Sequence, residues 1–507
     1  MFKLKPEGPP LSELDARVFL KATLLGLFTL ALIRTAWMCD DAYITLRTVD
    51  NLVSGFGPRW NVAERVQAYT HPLWMFVLAL PYYFTRDPFF TPLVVSMIAS
   101  VAAMWLLVTR IAVSAPTAII CATVLTFSRG FVEFSTSGLE NPLTHLLLAI
   151  FFVLYWHPER AHRLTHLWIV VSLIMLNRLD AGLLVLPAML VRTYQVGWRP
   201  GVKAVAIGVV PMVIWELFSI IYYGFPFPNT AYAKLSNGVP PGDLAIQGIA
   251  FLLNSAADDP LTLLAIGVFV SVALATRARV SWPIALGIVL YLVYVVRVGG
   301  DFMSGRFLTA PFFCAVALFA RFTYPWTSLF TAAVTAAIFG LGVFATIRPP
   351  LTTPDGLVNP DRPLGEIAGI RETRAFYYRY TGLLRWSREV PLPHFLWETE
   401  GREARLKRGV VQRGPIGLFG YYAGPEVHIV DFYALSDPLL ARLPSRGRWR
   451  IGHFQRRIPG GYLESIRTGR NVITDPVVAM KYEQLKIITQ DPLWTRRRWE
   501  AIVAMNW

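Results

Sequence analysis

Apolar runs fill the first 347 of the 507 residues of this chain. They lie at residues 17–38, 72–86, 89–109, 111–127, 139–156, 167–191, 202–223, 243–254 with 259–276, 282–298, 307–321 and 325–347. A helix of about 20 apolar residues crosses the hydrocarbon core of a bilayer. Because lipid offers the backbone no hydrogen bonds, such runs fold as helices. The pattern therefore predicts a polytopic α-helical membrane protein with about 10–12 transmembrane helices.

Composition supports a membrane body joined to a soluble tail. Hydrophobic residues make up 54% of the chain and charged residues 16%, whereas a soluble domain carries about 25% charged residues. The net charge is +15, and residues 348–507 contribute +9 of it, with 25 Lys and Arg against 16 Asp and Glu. We therefore predict a transmembrane body over 1–347 and a basic soluble domain over 348–507. No nucleic-acid motif accompanies the basic tail, so we expect it to face anionic lipid headgroups or a glycan acceptor.

The tail has the pattern of a small α+β domain. After a Pro-rich connector from 348 to 363, residues 365–386 suit an amphipathic helix, 408–433 suit short strands and turns, and 476–506 suit a closing helix. The three cysteines, Cys39, Cys121 and Cys314, all lie in or beside apolar runs. The tail therefore contains no disulfide framework.

Positive charges near the N-terminus predict the orientation of the body. Lys3, Lys5, Arg17 and Lys21 flank the first apolar run. Positively charged flanks favour the cytoplasmic side. This places the N-terminus in the cytoplasm and the loop of residues 39–71 outside.

Two adjacent carboxylates, Asp40 and Asp41, end the first apolar run. Carboxylates beside lipid are costly and usually functional. One of the pair would act as general base toward an acceptor hydroxyl, while the other would orient it, bind a cation or share the proton. The alternative is a polar pair that only ends the helix at the membrane surface.

Three further residues of the same loop are candidates for substrate contact. His71 precedes Pro72 at the start of the second run and is placed to meet a lipid-linked phosphate. Glu64 and Tyr69 are candidate supporting residues. The alternatives are a histidine satisfied by backbone and an aromatic residue of the membrane interface.

Later loops carry other candidate acids. Glu140 begins a new apolar run and is placed to complete an acidic cluster with Asp40 and Asp41; alternatively it is an acid facing its own helix dipole. Asp180 lies two residues from Arg178 inside an apolar run. Such a pair is expensive in lipid unless paired or facing water, so it predicts a helix that ends at a cavity.

Two basic residues are candidates for binding a phosphate. Lys234 ends a Pro-rich loop, and Arg306 lies in a glycine-containing loop with Asp301 as its orienting partner. Lysine and arginine are the usual phosphate ligands; the alternative for Lys234 is an ordinary surface lysine.

If the acids of the first loop and Glu140 share a site, an even number of membrane crossings separates them. Three apolar runs lie between, so either one does not cross or two merge.

Taken together, these motifs resemble the bacterial GT-C glycosyltransferases that use polyprenyl-phosphate sugars. The matching stretches are residues 40–44, 51, 55–57, 61–66 and 69–74 in the first loop, then 136–143, 177–182, 225–230 with Lys234, and 299–301 with 306–307. In the tail, residues 420–425, 430–431 and 437–444 are similar to the terminal arabinofuranosyltransferases of the mycobacterial cell envelope.

This resemblance implies a GT-C fold, multi-pass in the bacterial inner (plasma) membrane. The active site and the C-terminal domain are then expected on the extracytoplasmic side, with Asp40 or Asp41 as catalytic carboxylate. The expected donor is a polyprenyl-phosphate sugar, arabinofuranose foremost, and the acceptor an oligosaccharide or polysaccharide of the cell envelope. No cofactor is required with certainty, and a divalent cation at the acidic cluster is a further alternative.

Two other functions fit part of the pattern. A flippase or transporter of polyprenyl-linked lipids would explain the buried Arg178 and Asp180 and the broken helices. A glycan ligase that uses polyprenyl-diphosphate donors would need a larger acceptor cleft. A transporter would move lipid without forming a transfer product, which separates it from a transferase.

Overall fold

The computed structural model describes residues 11–156, 163–235, 237–275, 280–322, 327–349, 351–353, 368–446 and 449–506. Lys3, Lys5 and most of the Pro-rich connector lie outside these residues.

Helices make up the body. They are α1 (Leu11–Thr35), α2 (Asp40–Val53), α3 (Pro72–Thr85), α4 (Phe90–Leu106), α5 (Ala115–Phe127), α6 (Arg129–Glu133), α7 (Asn141–Trp156), α8 (Arg163–Asn177), α9 (Gly182–Val196), α10 (Trp198–Gly208), α11 (Val210–Tyr222), α12 (Asn229–Leu235), α13 (Pro241–Asp258), α14 (Pro260–Ala275), α15 (Trp282–Arg297), α16 (Thr309–Phe319) and α17 (Ser328–Gly340). Short 3₁₀ turns at Leu179–Ala181 and Arg306–Leu308 precede α9 and α16.

Several body helices have the length and apolarity of membrane spans. In the described part of the chain there are 4 such helices, or up to 6 if each of two bent helix pairs counts as one span. Apolar helices of 10–17 residues accompany them. A polytopic helical membrane protein is thus confirmed, while the number of 10–12 crossings stays a prediction.

The run predicted at 167–191 is two helices rather than one. Helix α8 ends at Asn177, whose side chain donates to the Glu140 carbonyl at 3.0 Å. Helix α9 then returns to the opposite end of α7, where Arg192 donates to the Tyr155 carbonyl at 3.1 Å. The polar residues 177–180 therefore form a turn between two helices, which agrees with the prediction that a helix ends there.

Helix α3 lies beside α2. At its start, His71 contacts Thr45 of α2 at 2.7 Å. At its other end, the Tyr82 hydroxyl donates to Asp50 at 3.0 Å, also on α2. Both ends therefore contact α2, while the crossing of 72–86 stays a prediction. If α3 does not cross, only α4 and α5 separate the first loop from Glu140, which gives the even number that a shared site requires.

The tail combines helices with a small sheet. Its elements are α18 (Thr373–Thr381), α19 (Leu396–Lys407), β1 (Gly409–Arg413), α20 (Gly417–Ala423), β2 (Val427–Asp431), α21 (Tyr462–Thr468), α22 (Pro476–Gln490) and α23 (Arg496–Asn506). Strands β1 and β2 pair in parallel, with Gly409 opposite Val427 and Arg413 opposite Asp431. Helix α20 supplies the crossover that a parallel pair needs.

The apolar clusters of the tail include residues of the body. One cluster packs Ile44, Trp60 and Ala68 of the first loop against the α20 and β2 region. The other includes Phe225 and Ala233, which precede or lie in α12. The predicted boundary between residues 347 and 348 marks a change in the sequence pattern. In the structure, however, the tail shares its apolar clusters with the first loop and the α12 region.

Candidate functional site

Glu140 is the centre of an ion-pair network at one end of the body. It is 1% exposed. Its Oε1 lies 2.8 Å from Arg178 Nη1 and 3.0 Å from Arg306 Nη2. Its Oε2 lies 3.4 Å from His71 Nδ1. A buried carboxylate is stable when cations and donors surround it in this way.

The network continues outward through both arginines. Arg178 Nη2 lies 2.5 Å from Asp180 Oδ2, and Arg306 Nη1 lies 3.4 Å from Asp301 Oδ2. Acids and bases therefore alternate along the chain of side chains Asp301, Arg306, Glu140, Arg178 and Asp180, which we call the Glu140 network. The sequence predicted four of these five as site residues, and the structure brings all four together.

The backbone around the network explains its compactness. The polar turn after α8 presents Arg178 and Asp180 side by side. On the facing side, Gly300 has φ of +71° and lies so close to Phe251 that a Cβ would meet that ring at 2.5 Å. Only glycine allows both the left-handed conformation and this approach, so the loop turns Asp301 and Arg306 inward.

Electrostatics keep Glu140 ionised and His71 neutral. Burial by itself would raise the pKa of Glu140, but Arg306, His71 and Arg178 hold that pKa well below its usual value. Burial lowers the pKa of His71 to about 4. His71 is therefore a neutral hydrogen-bonding group between Thr45 and Glu140.

Asp41 stands beside this network without being bound by it. Burial raises the pKa of Asp41, while Arg306 and Lys234 act to lower it. Among the described residues, no hydrogen bond or ion pair engages its carboxylate. Asp41 is therefore a carboxylate near two cations with its oxygens available to a ligand.

Asp40 has a different environment. It is 6% exposed, and its carboxylate accepts the backbone N–H groups of Leu418 at 2.7 Å and Gly417 at 3.3 Å. These donors begin α20. Burial raises the pKa of Asp40 to about 7, against the opposing effect of the two N–H groups. Asp40 thus attaches the tail to the first loop.

Two cationic groups near Asp41 retain free donors. Lys234 is exposed near the end of α12, and no acid among the described residues pairs with its ammonium group. Arg306 Nε is buried without a hydrogen-bond partner. A buried donor without a partner is costly, so this atom marks a place for a missing acceptor.

Glu64 and Tyr69 lie apart from the network. The Tyr69 hydroxyl bonds to the Tyr223 hydroxyl at 2.9 Å. Glu64 accepts from Asn61 at 3.2 Å and lies 3.9 Å from His428. The sequence placed both with the acids of the first loop because they share it, but the loop folds so that they face other surfaces.

Sequence reasoning overlooked two residues near the site. Arg178 was recognised only as the partner of Asp180, although its position in the polar turn was a usable signal. Tyr377 lies in α18 of the tail and stacks on Trp37, with ring centroids 6.3 Å apart. Burial and the nearby charges of Asp40 and Asp41 raise the pKa of its hydroxyl. No pattern in the sequence connects residue 377 with residue 41.

The acids of the site are spaced by cations. No group of three or more His, Cys, Asp or Glu in the described ranges has the geometry to hold a metal ion. Arg306 lies between Glu140 and Asp301, where a cation shared by these acids would sit. The divalent cation considered from the sequence stays a hypothesis.

Comparison with known proteins gives relatives that match over long stretches. No protein-family profile matches the chain. A terminal β-(1→2)-arabinofuranosyltransferase of Mycobacterium tuberculosis is 27% identical over 522 residues, which covers 83% of this chain and 81% of the relative. The chain is similar to the terminal arabinofuranosyltransferases. An enzyme of the same name from Corynebacterium glutamicum is 28% identical over 353 residues, covering 58% of this chain and 49% of the relative.

These relatives confirm the resemblance found in the motifs. They are named as glycosyltransferases, so the prediction of a membrane glycosyltransferase is confirmed. The matched 83% of the chain is too long to fit within either the body or the tail. The homology therefore includes parts of both.

Proposed function

We propose that this protein transfers a sugar, arabinofuranose by analogy with its relatives, from a polyprenyl-phosphate donor to a glycan acceptor of the cell envelope. The observation that carries the proposal is the pairing of a free carboxylate, Asp41, with the free donors of Lys234 and Arg306. A carboxylate suits the acceptor hydroxyl and the cations suit the donor phosphate. The apolar helices supply a surface for the polyprenyl chain.

In this mechanism the donor phosphate lies against Lys234 and Arg306 Nε. The bond between the sugar C1 and the phosphate oxygen breaks, and the polyprenyl phosphate leaves with the bonding electrons. The acceptor oxygen bonds to C1, and its proton passes to Asp41. Positive charge on the sugar ring in the transition state is stabilised by the carboxylates of the site, while the cations stabilise the departing phosphate.

The Glu140 network then serves to position Arg306. A guanidinium bonded on one edge to Glu140 and Asp301 keeps its Nε directed toward the donor. His71 fixes the second oxygen of Glu140. Asp40 does not touch substrate in this mechanism, because the N–H groups of α20 occupy it.

The site faces the extracytoplasmic side in this proposal. The positive flank of α1 supports that orientation. The donor would enter from the bilayer with its phosphate at the outer surface, and the glycan acceptor would approach beneath the tail. The protein is then a multi-pass component of the bacterial inner membrane.

The test is transfer in vitro with purified full-length protein. Radiolabelled polyprenyl-phosphate arabinose or mannose is mixed with a synthetic oligosaccharide, and wild type is compared with Asp41→Asn and Asp40→Asn. We expect labelled oligosaccharide from wild type, a loss of about 10²–10⁴ in kcat for Asp41→Asn, and partial activity for Asp40→Asn.

Each outcome decides a specific part of the proposal. Wild-type turnover by Asp41→Asn would remove Asp41 from the chemistry. Transfer of mannose but not arabinose would correct the donor sugar. Donor binding and lipid movement across liposomes without any product would show a flippase instead.

A further inference from the structure

A second cavity opens in the tail, apart from the Glu140 network. Its volume is about 570 Å³, within the range of about 300–1,000 Å³ that is usual for small-ligand sites. The cavity beside Arg129 in the body has room for about 10 Å³. We call the larger one the Glu64 cleft. It is lined by residues of the first loop, both strands, α21 and α22, among them Glu64, His428, Tyr462, Tyr482, Lys486 and Gln490.

Glu64 directs an unused oxygen into this cleft. The side chain is 6% exposed, and its Oε1 accepts from Asn61 Nδ2 at 3.2 Å. Asn61 is itself fixed, since it donates to the Ile429 carbonyl and accepts from the Ile429 N–H, both at 3.1 Å. Within the described part of the chain, no residue donates to Glu64 Oε2. This carboxyl oxygen, on a side chain that Asn61 fixes, is placed to accept a hydrogen bond from a ligand.

Tyr462 and Tyr482 form an aromatic wall of the cleft. Their rings meet edge to face, with centroids 5.4 Å apart. The Tyr462 hydroxyl donates to Asp437 at 2.9 Å, which fixes that ring. No described residue bonds to the Tyr482 hydroxyl. A wall with an apolar ring face and a free hydroxyl suits a ligand that has both C–H and O–H surfaces.

The cations that line the cleft have partners within the protein. Arg408 lies 2.7 Å from Glu426, and Arg467 lies 3.9 Å from Glu464. Lys486 donates to a backbone carbonyl at 2.7 Å. Burial raises the pKa of Glu64 to about 8, so this carboxyl is mostly neutral near pH 7. Glu64 and Tyr482 therefore offer neutral hydrogen-bonding groups, which suit the hydroxyls of a sugar.

We infer that the Glu64 cleft binds a neutral glycan, a non-reacting segment of the acceptor chain. A sugar hydroxyl would donate to Glu64 Oε2, and a ring would pack on Tyr482. This inference rests on the proposed function for the identity of the glycan. Holding the acceptor glycan at a second point raises the effective concentration of its reacting end at Asp41, without any new contact to the reacting sugar.

The experiment measures glycan binding and transfer separately on the full-length protein in detergent. A synthetic arabinofuranosyl hexasaccharide is titrated calorimetrically into wild type, Glu64→Ala, Gln490→Trp and Glu403→Gln. Gln490 is exposed at the rim, so a tryptophan there blocks the cleft without entering the core. Glu403 is the control, an exposed acid on α19 that does not line the cleft.

We expect Glu64→Ala and Gln490→Trp to bind the hexasaccharide about tenfold more weakly, because the first loses a hydrogen bond and the second blocks the cleft. The control should bind as wild type. In the transfer assay, KM for the hexasaccharide should rise in those variants while kcat on a disaccharide is unchanged. Equal hexasaccharide affinity in all four proteins would overturn the inference. Glycan binding lost in the variants without any transfer by wild type would retain the cleft and reject the proposed function.

Discussion

At the residue scale, Asp40 and Asp41 are neighbours with separate environments. Successive side chains on a helix point about 100° apart, so one carboxylate faces the N–H groups of α20 and the other faces Lys234 and Arg306. Only the second keeps its oxygens free. The geometry of α2 therefore distinguishes an attaching residue from a candidate catalytic one, although the two are chemically identical.

Lys234→Met should weaken donor use specifically. The substitution keeps the length of the side chain and removes the charge, so the donor KM should rise about tenfold or more with the acceptor KM unchanged. Lys203→Met, at an exposed lysine of α10, is the matched control. Steady-state kinetics with varied donor would measure the effect, and an unchanged donor KM would exclude Lys234 from phosphate binding.

Glu64→Gln should change how stability depends on pH. Burial raises the pKa of Glu64 from 4.5 to about 8 in the folded protein. The folded state then binds more protons than the unfolded state between these values, so stability is greatest below pH 4.5 and falls as pH rises through 8. Glu64→Gln lacks this pH-dependent contribution to stability. Melting of the detergent-purified proteins at several pH values should show a smaller decline for Glu64→Gln, and identical slopes would mean that Glu64 is solvated.

At the element scale, the docking of α20 on α2 joins the tail to the site. A Cβ on Gly417 would lie 1.8 Å from the Asp40 carbonyl oxygen, so glycine is needed for the two helices to approach. Arg47 of α2 adds hydrogen bonds to the Trp60 carbonyl and the Val427 carbonyl, both at 2.8 Å. The tail is therefore held where α2 begins, directly beside Asp41.

Gly417→Ala should separate these helices. We expect a loss of about 1–3 kcal/mol or more in stability from the overpacking, accompanied by loss of transfer. Gly26→Ala is the control, because nothing lies within 4 Å of a Cβ at that α1 position and alanine favours a helix by about 0.5–1 kcal/mol. Thermal melting of both variants would measure the difference, and an unaffected Gly417→Ala would contradict the close approach.

At the scale of the whole molecule, the path of α3 determines the topology. If α3 lies beside α2, the residues before and after it share one side of the membrane, and Asp41 and Glu140 meet. If it crossed, Arg86 would be on the opposite side from the first loop. The described contacts of His71 and Tyr82 favour the first arrangement.

Single-cysteine labelling should reveal this topology. Phe56→Cys and Arg86→Cys should react with a membrane-impermeant maleimide from the same side, whereas Arg110→Cys, beyond α4, should react only from the other. The three native cysteines are buried and give little background. Labelling of Arg110→Cys from the same side as Phe56→Cys, with Arg86→Cys reacting only from the other side, would show that α3 is a span.

Much of the site could be read from the sequence, because charged residues inside apolar runs are rare and expensive. This identified Asp41, Glu140, Asp180, Asp301 and Arg306 individually. The sequence could not show that Glu64 and Tyr69 lie apart from the Glu140 network, since proximity along a loop says little about direction once the loop folds. It also missed Tyr377, whose position depends on the packing of α18 against Trp37.

The sequence by itself determined that this protein is a helical membrane body with charged polar loops and a basic tail. It does so because lipid enforces helices on apolar runs and penalises every unpaired charge. Only the tertiary structure decided which loops converge, which of two adjacent carboxylates remains free, and that Glu64 faces a cleft of its own. These outcomes depend on contacts between residues hundreds of positions apart, such as Asp40 with Leu418, which no local pattern encodes.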